Sequence, residues 1–213
     1  MKVKICGLTH PKEAEFLNEA GADYAGFVFF EPSKRNVTLE QSQEIRMRLD
    51  TAIKTVAVTV APDVSLVEKL GSAGFDILQV HKELKPEVLE AVQIPVWYAV
   101  NLSDVSGLNE KTRFIKELPK ILSDKIEAIV VDAGEYGSGK TFDWKKSQIG
   151  LRKQNIFKGR KFILAGGLNA SNVEEGIRLF EPDAVDVSSG VESTGGKDRN
   201  LIKEFTGKVK GYE

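Results

Sequence analysis

The chain has 213 residues, 41% of them hydrophobic and 29% charged, which suits one well-buried core and is short for two ordinary domains; a single domain over residues 1–213 is expected. Thirty Lys and Arg against 31 Asp and Glu leave a net charge of -1, so no overall field draws nucleic acid or an anionic membrane surface, and any anion site must be local. Cys6 stands alone, which excludes an intramolecular disulfide. No window approaches about 18 uninterrupted apolar residues, and the first apolar stretch is too short for a signal peptide, so a cytoplasmic chain without a membrane span is expected.

In chain order, the apolar run 3–6 reads as a first strand. Pro11 to Ala20 comes next as a helix, with Ala14, Leu17 and Ala20 at helical spacing and His10 at its start. After the run 24–30, Thr38 and Gln41 are spaced as a capping box ahead of Ile45 and Leu49. The run 55–60 precedes a helix over 64–70, and the run 76–80 precedes one over 86–92. The run 96–100 leads into a stretch over 109–123 that Pro119 should end or kink. Runs at 128–133, 161–165 and 184–189 complete the series, with a helix over 172–180 between the last two.

These runs are rich in Val, Ile and Phe and lack sustained polar alternation, as strands buried on both faces do. Parallel strands joined by crossover helices are the natural arrangement, and eight such units predict an α/β fold closed as a single-domain (β/α)8 TIM barrel. The competing arrangement is an open doubly wound sheet. No linker, low-complexity stretch or obvious sequence repeat interrupts the pattern.

A barrel of this kind presents its active site at the C-terminal ends of its strands. The residues just beyond the apolar runs are Cys6-Gly7, Ser33-Lys34-Arg35, Thr59, His81, Asn101, Asp132, Gly166-Gly167 and Ser188-Ser189-Gly190. Cys6 and Asp132 are the acid–base candidates, since a thiolate abstracts a proton and a carboxylic acid donates one. The plainer readings are a small buried hydrophobe for Cys6 and a turn acceptor for Asp132. The glycines of Gly166-Gly167 and Ser188-Ser189-Gly190 let backbone N–H groups approach an anion, in the loops where such barrels hold phosphate; otherwise they serve tight turns. Arg35 is placed to pair bidentately with a carboxylate. His81 reads as a catalytic group or a hydrogen-bonded wall residue, and Trp144 as packing. The glycines of 134–140 suggest a mobile loop that is misplaced for a P-loop.

Together, Lys4-Ile5-Cys6-Gly7-Leu8, Gly26-Phe27-Val28-Phe29, Ser33-x-Arg35-x-Val37, Leu78-Gln79-Val80-His81, Asp132, the segment 136–144, Ala165-Gly166-Gly167-Leu168 and Val185-Asp186-Val187-Ser188-Ser189-Gly190-Val191-Glu192 resemble the phosphoribosylanthranilate isomerase family over nearly the whole chain. The resemblance implies an Amadori rearrangement of N-(5-phosphoribosyl)anthranilate to its 1-deoxyribulose aminoketose in tryptophan biosynthesis. By that resemblance Asp132 protonates the ribose ring oxygen and Cys6 removes the C2 proton. Arg35 holds the anthranilate carboxylate, and backbone amides around Gly167 and Ser189-Gly190 hold the phosphate. No metal and no redox cofactor is implied, and a monomer or homodimer is expected. To play these parts, Cys6 needs a stabilised thiolate and Asp132 a raised pKa.

The chain departs from the family pattern twice. Lys82 stands where a glycine usually follows the histidine, and the segment Glu192 to Asp198 lacks a common proline and looks shorter. Among alternatives, a ribulose-phosphate epimerase-like barrel wants metal-binding histidines at strand ends, where His81 alone is suitably placed. A histidine-pathway isomerase would carry Asp where this chain has Cys6. A non-catalytic phosphosugar-binding barrel would keep the glycine loops while losing its acid and base.

Overall fold

The computed structural model describes residues 1–101, 105–132 and 155–212. Eight strands are all parallel to their neighbours and close into a barrel in sequence order, with β8 paired back onto β1. They are β1 Lys2–Cys6, β2 Tyr24–Phe29, β3 Lys54–Val60, β4 Ile77–His81, β5 Val96–Asn101, β6 Ile126–Asp132, β7 Lys161–Ala165 and β8 Ala184–Val187. Each falls on an expected apolar run. The last run overshoots, because Ser189 to Val191 turn into a short 3-10 helix rather than extending β8.

Helices fall on the expected stretches as α1 Pro11–Ala20, α2 Leu39–Arg46, α3 Val64–Ser72, α4 Pro86–Ala91, α5 Val105–Glu117, α6 Lys120–Ser123 and α7 Val173–Phe180, with α5 starting ahead of the expected residue 109, and α8 Arg199–Lys210 adds one where the sequence reading placed none. His10 caps α1 by accepting from the Lys12 N–H, and the Thr38/Gln41 capping box is formed in both directions. Pro119 divides the stretch after β5 into α5 and α6, as its missing N–H requires. The α2 helix ends at Arg46, one turn short of Leu49. The expected loop over 134–140, the 136–144 match and Trp144 lie outside the described residues.

Side-chain alternation sorts every strand into an outer and an inner set. Outward residues such as Val3, Ile5, Leu78, Ile129, Val131, Leu164, Val185 and Val187 pack beneath the helices. Inward residues, among them Val56, Val58, Ile77, Trp97, Ala128, Val130 and Ile163, fill the barrel. Trp97 and Tyr24 meet edge to face at 4.9 Å near the N-terminal end of the barrel.

That end is fastened by a device used three times. Asp23, Asp76 and Asp183 each stand just before a strand, donate a backbone N–H to the preceding strand, and accept one back on the carboxylate. The partners are Val3, Thr55 and Phe162, with N–H to carboxylate distances of 2.9, 2.7 and 2.7 Å. Two of these clasps come after a helix-ending glycine, as Gly21-Ala22-Asp23 and Gly74-Phe75-Asp76, both glycines having left-handed backbone.

Candidate active site

At the C-terminal end the inner set changes character. Continuing the inward parity of each strand past the apolar layer gives Cys6 on β1, Gln79 and His81 on β4, Asp132 on β6 and Asp186 on β8. All five line one cavity of about 630 Å³. Arg35, Gly166, Gly167, Ser188 and Ser189 line it too, while Gly190 is not among the lining residues and packs against the Leu168 carbonyl. Val28, Phe30, Val58 and Val60 supply an apolar wall on the β2–β3 side, suited to an aromatic ring. The structure thus gathers at one mouth the two acid–base candidates, the arginine and residues of both glycine loops.

Cys6 is 9% exposed. Burial pushes its thiol above the ordinary range, opposed by the Lys4 charge, reinforced by Asp186, and further opposed by Lys197. Burial therefore favours the free thiol in the substrate-free site, and a thiolate base must be formed against it with the help of the neighbouring cations. His81 accompanies Gln79, whose amide nitrogen lies 2.9 Å from its Nε2, and burial with the Lys4 and Lys111 charges holds its pKa down at about 4. It is therefore neutral near pH 7.

Arg35 is already engaged. Its Nε and Nη2 donate to the two carboxylate oxygens of Glu192 at 2.6 and 2.8 Å, and Lys197 Nζ donates to the same carboxylate at 2.6 Å. Although burial works against it, these bonds hold the Glu192 pKa at about 2. The short segment after β8 explains the contact. It folds as a two-stranded hairpin, β9 Glu192–Ser193 with β10 Gly196–Lys197, which brings both side chains to Arg35. Arg35 itself crosses Gly7, where any Cβ would collide with its Cδ. Bidentate pairing with a carboxylate was legible at Arg35; the internal partner Glu192 was not.

The two glycine loops touch through their backbones. A Cβ at Gly190 would collide with the Leu168 carbonyl oxygen, so the loops after β7 and β8 can meet only there without a side chain. Gly166 and Gly167 both take left-handed backbone, with φ of 88° and 64°. The 3-10 turn Ser189–Val191 and the first turn of α7 come after these loops, and helix starts leave N–H groups for an outside acceptor. Ser188 Oγ donates to the Cys6 carbonyl at 2.9 Å, tying the second loop to β1.

At the cavity, two buried acceptors remain without a hydrogen-bond partner among the described residues, Gln79 Oε1 and Asp186 Oδ1. Sequence reading missed Gln79, Asp186, Lys4, Glu192 and Lys197 as site residues. A usable signal existed for two of them. Lys4 and Asp186 are charges at inward positions of strands buried on both faces, and such charges need a partner. Lys82 has a left-handed backbone, φ 59°, so the departure from glycine falls where glycine would be unstrained. Among the described residues, no three His, Cys, Asp or Glu side chains are grouped as metal ligands, and no helix is long and apolar enough to cross a membrane.

Comparison with known proteins agrees with this layout. Residues 3–208 match the family model of N-(5'-phosphoribosyl)anthranilate (PRA) isomerase. The N-(5'-phosphoribosyl)anthranilate isomerase of Streptococcus gordonii is 40% identical over 98% of this chain and 97% of its own. The crystal structure of phosphoribosyl anthranilate isomerase from Thermotoga maritima superposes with a TM-score of 0.83 at 35% identity, covering 99% of each chain. Another crystal structure of phosphoribosyl anthranilate isomerase, in complex with reduced 1-(o-carboxyphenylamino)-1-deoxyribulose 5-phosphate, gives 0.81 at 32% identity, again over 99% of each. An orotidine 5'-phosphate decarboxylase from Pyrococcus horikoshii, 14% identical with a TM-score of 0.70, shares the fold alone. The chain belongs to the N-(5'-phosphoribosyl)anthranilate isomerase family.

Proposed function

We propose that Cys6 is the general base and Asp132 the general acid of the isomerisation of N-(5-phosphoribosyl)anthranilate, carried out by the whole chain 1–213 as one barrel. The observation that carries this assignment is that both groups line a single cavity together with Arg35 and the two glycine loops. Asp132 gives its proton to the ribose ring oxygen while the anthranilate nitrogen pushes its lone pair into the breaking C1–O bond, leaving a protonated Schiff base. The Cys6 thiolate then takes the C2 proton, and the C–H electron pair forms the C1–C2 double bond of an enolamine that tautomerises to the aminoketose. Protons alone are transferred, and the bond changes balance within the substrate.

The remaining groups hold the substrate. The phosphate sits against the N–H groups of Gly167 and of Ser189 or Gly190. The anthranilate carboxylate joins the Arg35 guanidinium beside Glu192, using its remaining N–H groups, and the ring lies against Val28, Phe30, Val58 and Val60. Sugar hydroxyls donate to Gln79 Oε1 and Asp186 Oδ1, the two acceptors left open. Neutral His81 is a polar wall residue rather than the acid. The chain works in the cytoplasm as a monomer or homodimer; one of the solved relatives, from Thermotoga maritima, is a dimeric enzyme.

The test is turnover of the aminoaldose, monitored by loss of its anthranilate fluorescence, in Cys6→Ala and Asp132→Asn. Each is expected to lose at least ~100-fold in kcat with the melting temperature retained, the usual worth of general acid–base catalysis. Cys6→Ser should be poor as well, because a hydroxyl is far less acidic than a thiol. Near-normal turnover in Cys6→Ala would return that residue to its packing role.

A further inference from the structure

At the base of the cavity lies a charge pair of which the mechanism above uses one Asp186 oxygen and leaves the lysine unused. Lys4 and Asp186 are register partners on β1 and β8, and Nζ lies 2.8 Å from Oδ2. Lys4 is fully buried and Asp186 is 7% exposed. Taking two charges out of water is costly, and an apolar pair of similar volume often serves stability as well or better. A barrel interior otherwise filled largely by apolar side chains, Trp97 among them, therefore gains little stability by holding this pair.

What the pair does contribute is a fixed charge under Cys6. Lys4 and Cys6 are two residues apart on one strand, so both project inward. Across from them β2 carries no side chain at Gly26. A Cβ there would fall 2.9 Å from Cys6 Sγ and 3.2 Å from Lys4 Cε, so the thiol and the end of the lysine chain lie side by side. The Lys4 charge favours the thiolate against the effect of burial. Asp186, which lines the cavity, spends one oxygen on Lys4, and its other oxygen has no hydrogen-bond partner among the described residues.

We propose that Lys4 is a positioning residue for the reaction: its ammonium, anchored by Asp186, is the fixed counter-charge of the Cys6 thiolate. The inference rests on Cys6 being the base. In the proton-abstraction step the C2 proton goes to Sγ and the negative charge leaves sulfur for the substrate, while Lys4 keeps its proton throughout. The other charged groups around the thiol are Lys197 from the β10 hairpin strand and Arg35 from the loop after β2, both tied to Glu192, with Asp132 on β6 and neutral His81 on β4 lining the same cavity. Burial pushes the thiol up, and Lys4 is the strongest of the charges that pull it back.

Cys6 is the only cysteine, so thiolate absorbance near 240 nm and the pH dependence of iodoacetamide alkylation both report on it alone. In substrate-free protein, Lys4→Met should raise the titration midpoint by at least about one pH unit, a tenfold loss of thiolate at any pH below it. Asp186→Asn should lower the midpoint, since it removes an anion and keeps the cation. The acid limb of kcat/KM for Lys4→Met should move up with the thiol, activity recovering toward wild type as pH rises. If Lys4→Met does not fold, Lys4→Met/Asp186→Leu removes both buried charges and should also raise the midpoint. Opposite shifts in the two single variants are the expected result. Midpoints that do not move, or that move the same way in both, would overturn the proposal, because packing alone cannot distinguish the two charges by sign. These titrations need no turnover, so their failure is separate from a failure of Cys6 as base.

Discussion

The two ends of this barrel use the same kinds of residue for opposite purposes. At the N-terminal end, carboxylates are engaged in holding strands together: Asp23, Asp76 and Asp183 clasp neighbouring strands, and Asp23 also meets Lys2 at 2.6 Å and Lys210 at 3.3 Å. At the C-terminal end, Gln79 Oε1 and Asp186 Oδ1 are buried with an acceptor left open. The first arrangement locks strands together; the second holds polar groups in readiness for a ligand. Leaving buried polar atoms unpaired lowers stability, and binding restores it, so the contrast separates the end that stabilises from the end that reacts.

The largest expected effect that separates the ends is at Arg35. Arg35→Ala should lose about 2–4 kcal/mol of transition-state binding, read from kcat/KM, as expected for unpairing a charge-assisted bond. Unchanged kcat/KM would remove it from the site. Next comes Asp23→Ala at the opposite end, which should cost about 1.5–3 kcal/mol of stability in thermal or denaturant melts while kcat stays at the wild-type value. The Asp23 pKa is lowered: burial raises it, but the Lys2 and Val3 hydrogen bonds and nearby Lys210 outweigh that. Its contribution is therefore complete above the ordinary carboxylate pKa of about 3.9 and fades as pH falls, so the gap between variant and wild type should narrow in acid. A loss of kcat in Asp23→Ala would blur the distinction between the ends. The smallest effect is at Lys82, where Lys82→Gly should add about 0.5–1 kcal/mol by relieving the left-handed backbone. No gain in melting temperature would mean that the strain is offset locally, for instance through the Tyr98 hydroxyl bonded to the Lys82 carbonyl at 3.1 Å.

Most of the barrel was legible because its determinants are local. Strands buried on both faces are continuous apolar runs, a capping box spans four residues, and Pro119 interrupts a helix by its missing N–H. The identities of Cys6, Arg35, His81, Asp132 and the glycine loops were legible too, since strand ends in such a barrel converge on one mouth. The pairings were not legible. Lys4 meets Asp186 across 182 residues and Arg35 meets Glu192 across 157, and these contacts depend on which strand closes the barrel and on the register of β1 with β8. The reciprocal clasps join each strand to the one before it over much shorter separations of 20 or 21 residues, and two of them carry a Gly-x-Asp signature at 21–23 and 74–76. The net effect of burial on Cys6 likewise needs the surrounding atoms.

The most direct test of the reactive end is a structure of this chain with reduced 1-(o-carboxyphenylamino)-1-deoxyribulose 5-phosphate bound. The account predicts the phosphate on the N–H groups of Gly167 and of Ser189 or Gly190, and the carboxylate on Arg35 with Glu192 still attached. The carbon skeleton should lie between Cys6 Sγ and Asp132, with the sugar hydroxyls on Gln79 and Asp186. A phosphate bound elsewhere, or a C2 carbon out of reach of the thiol, would contradict it.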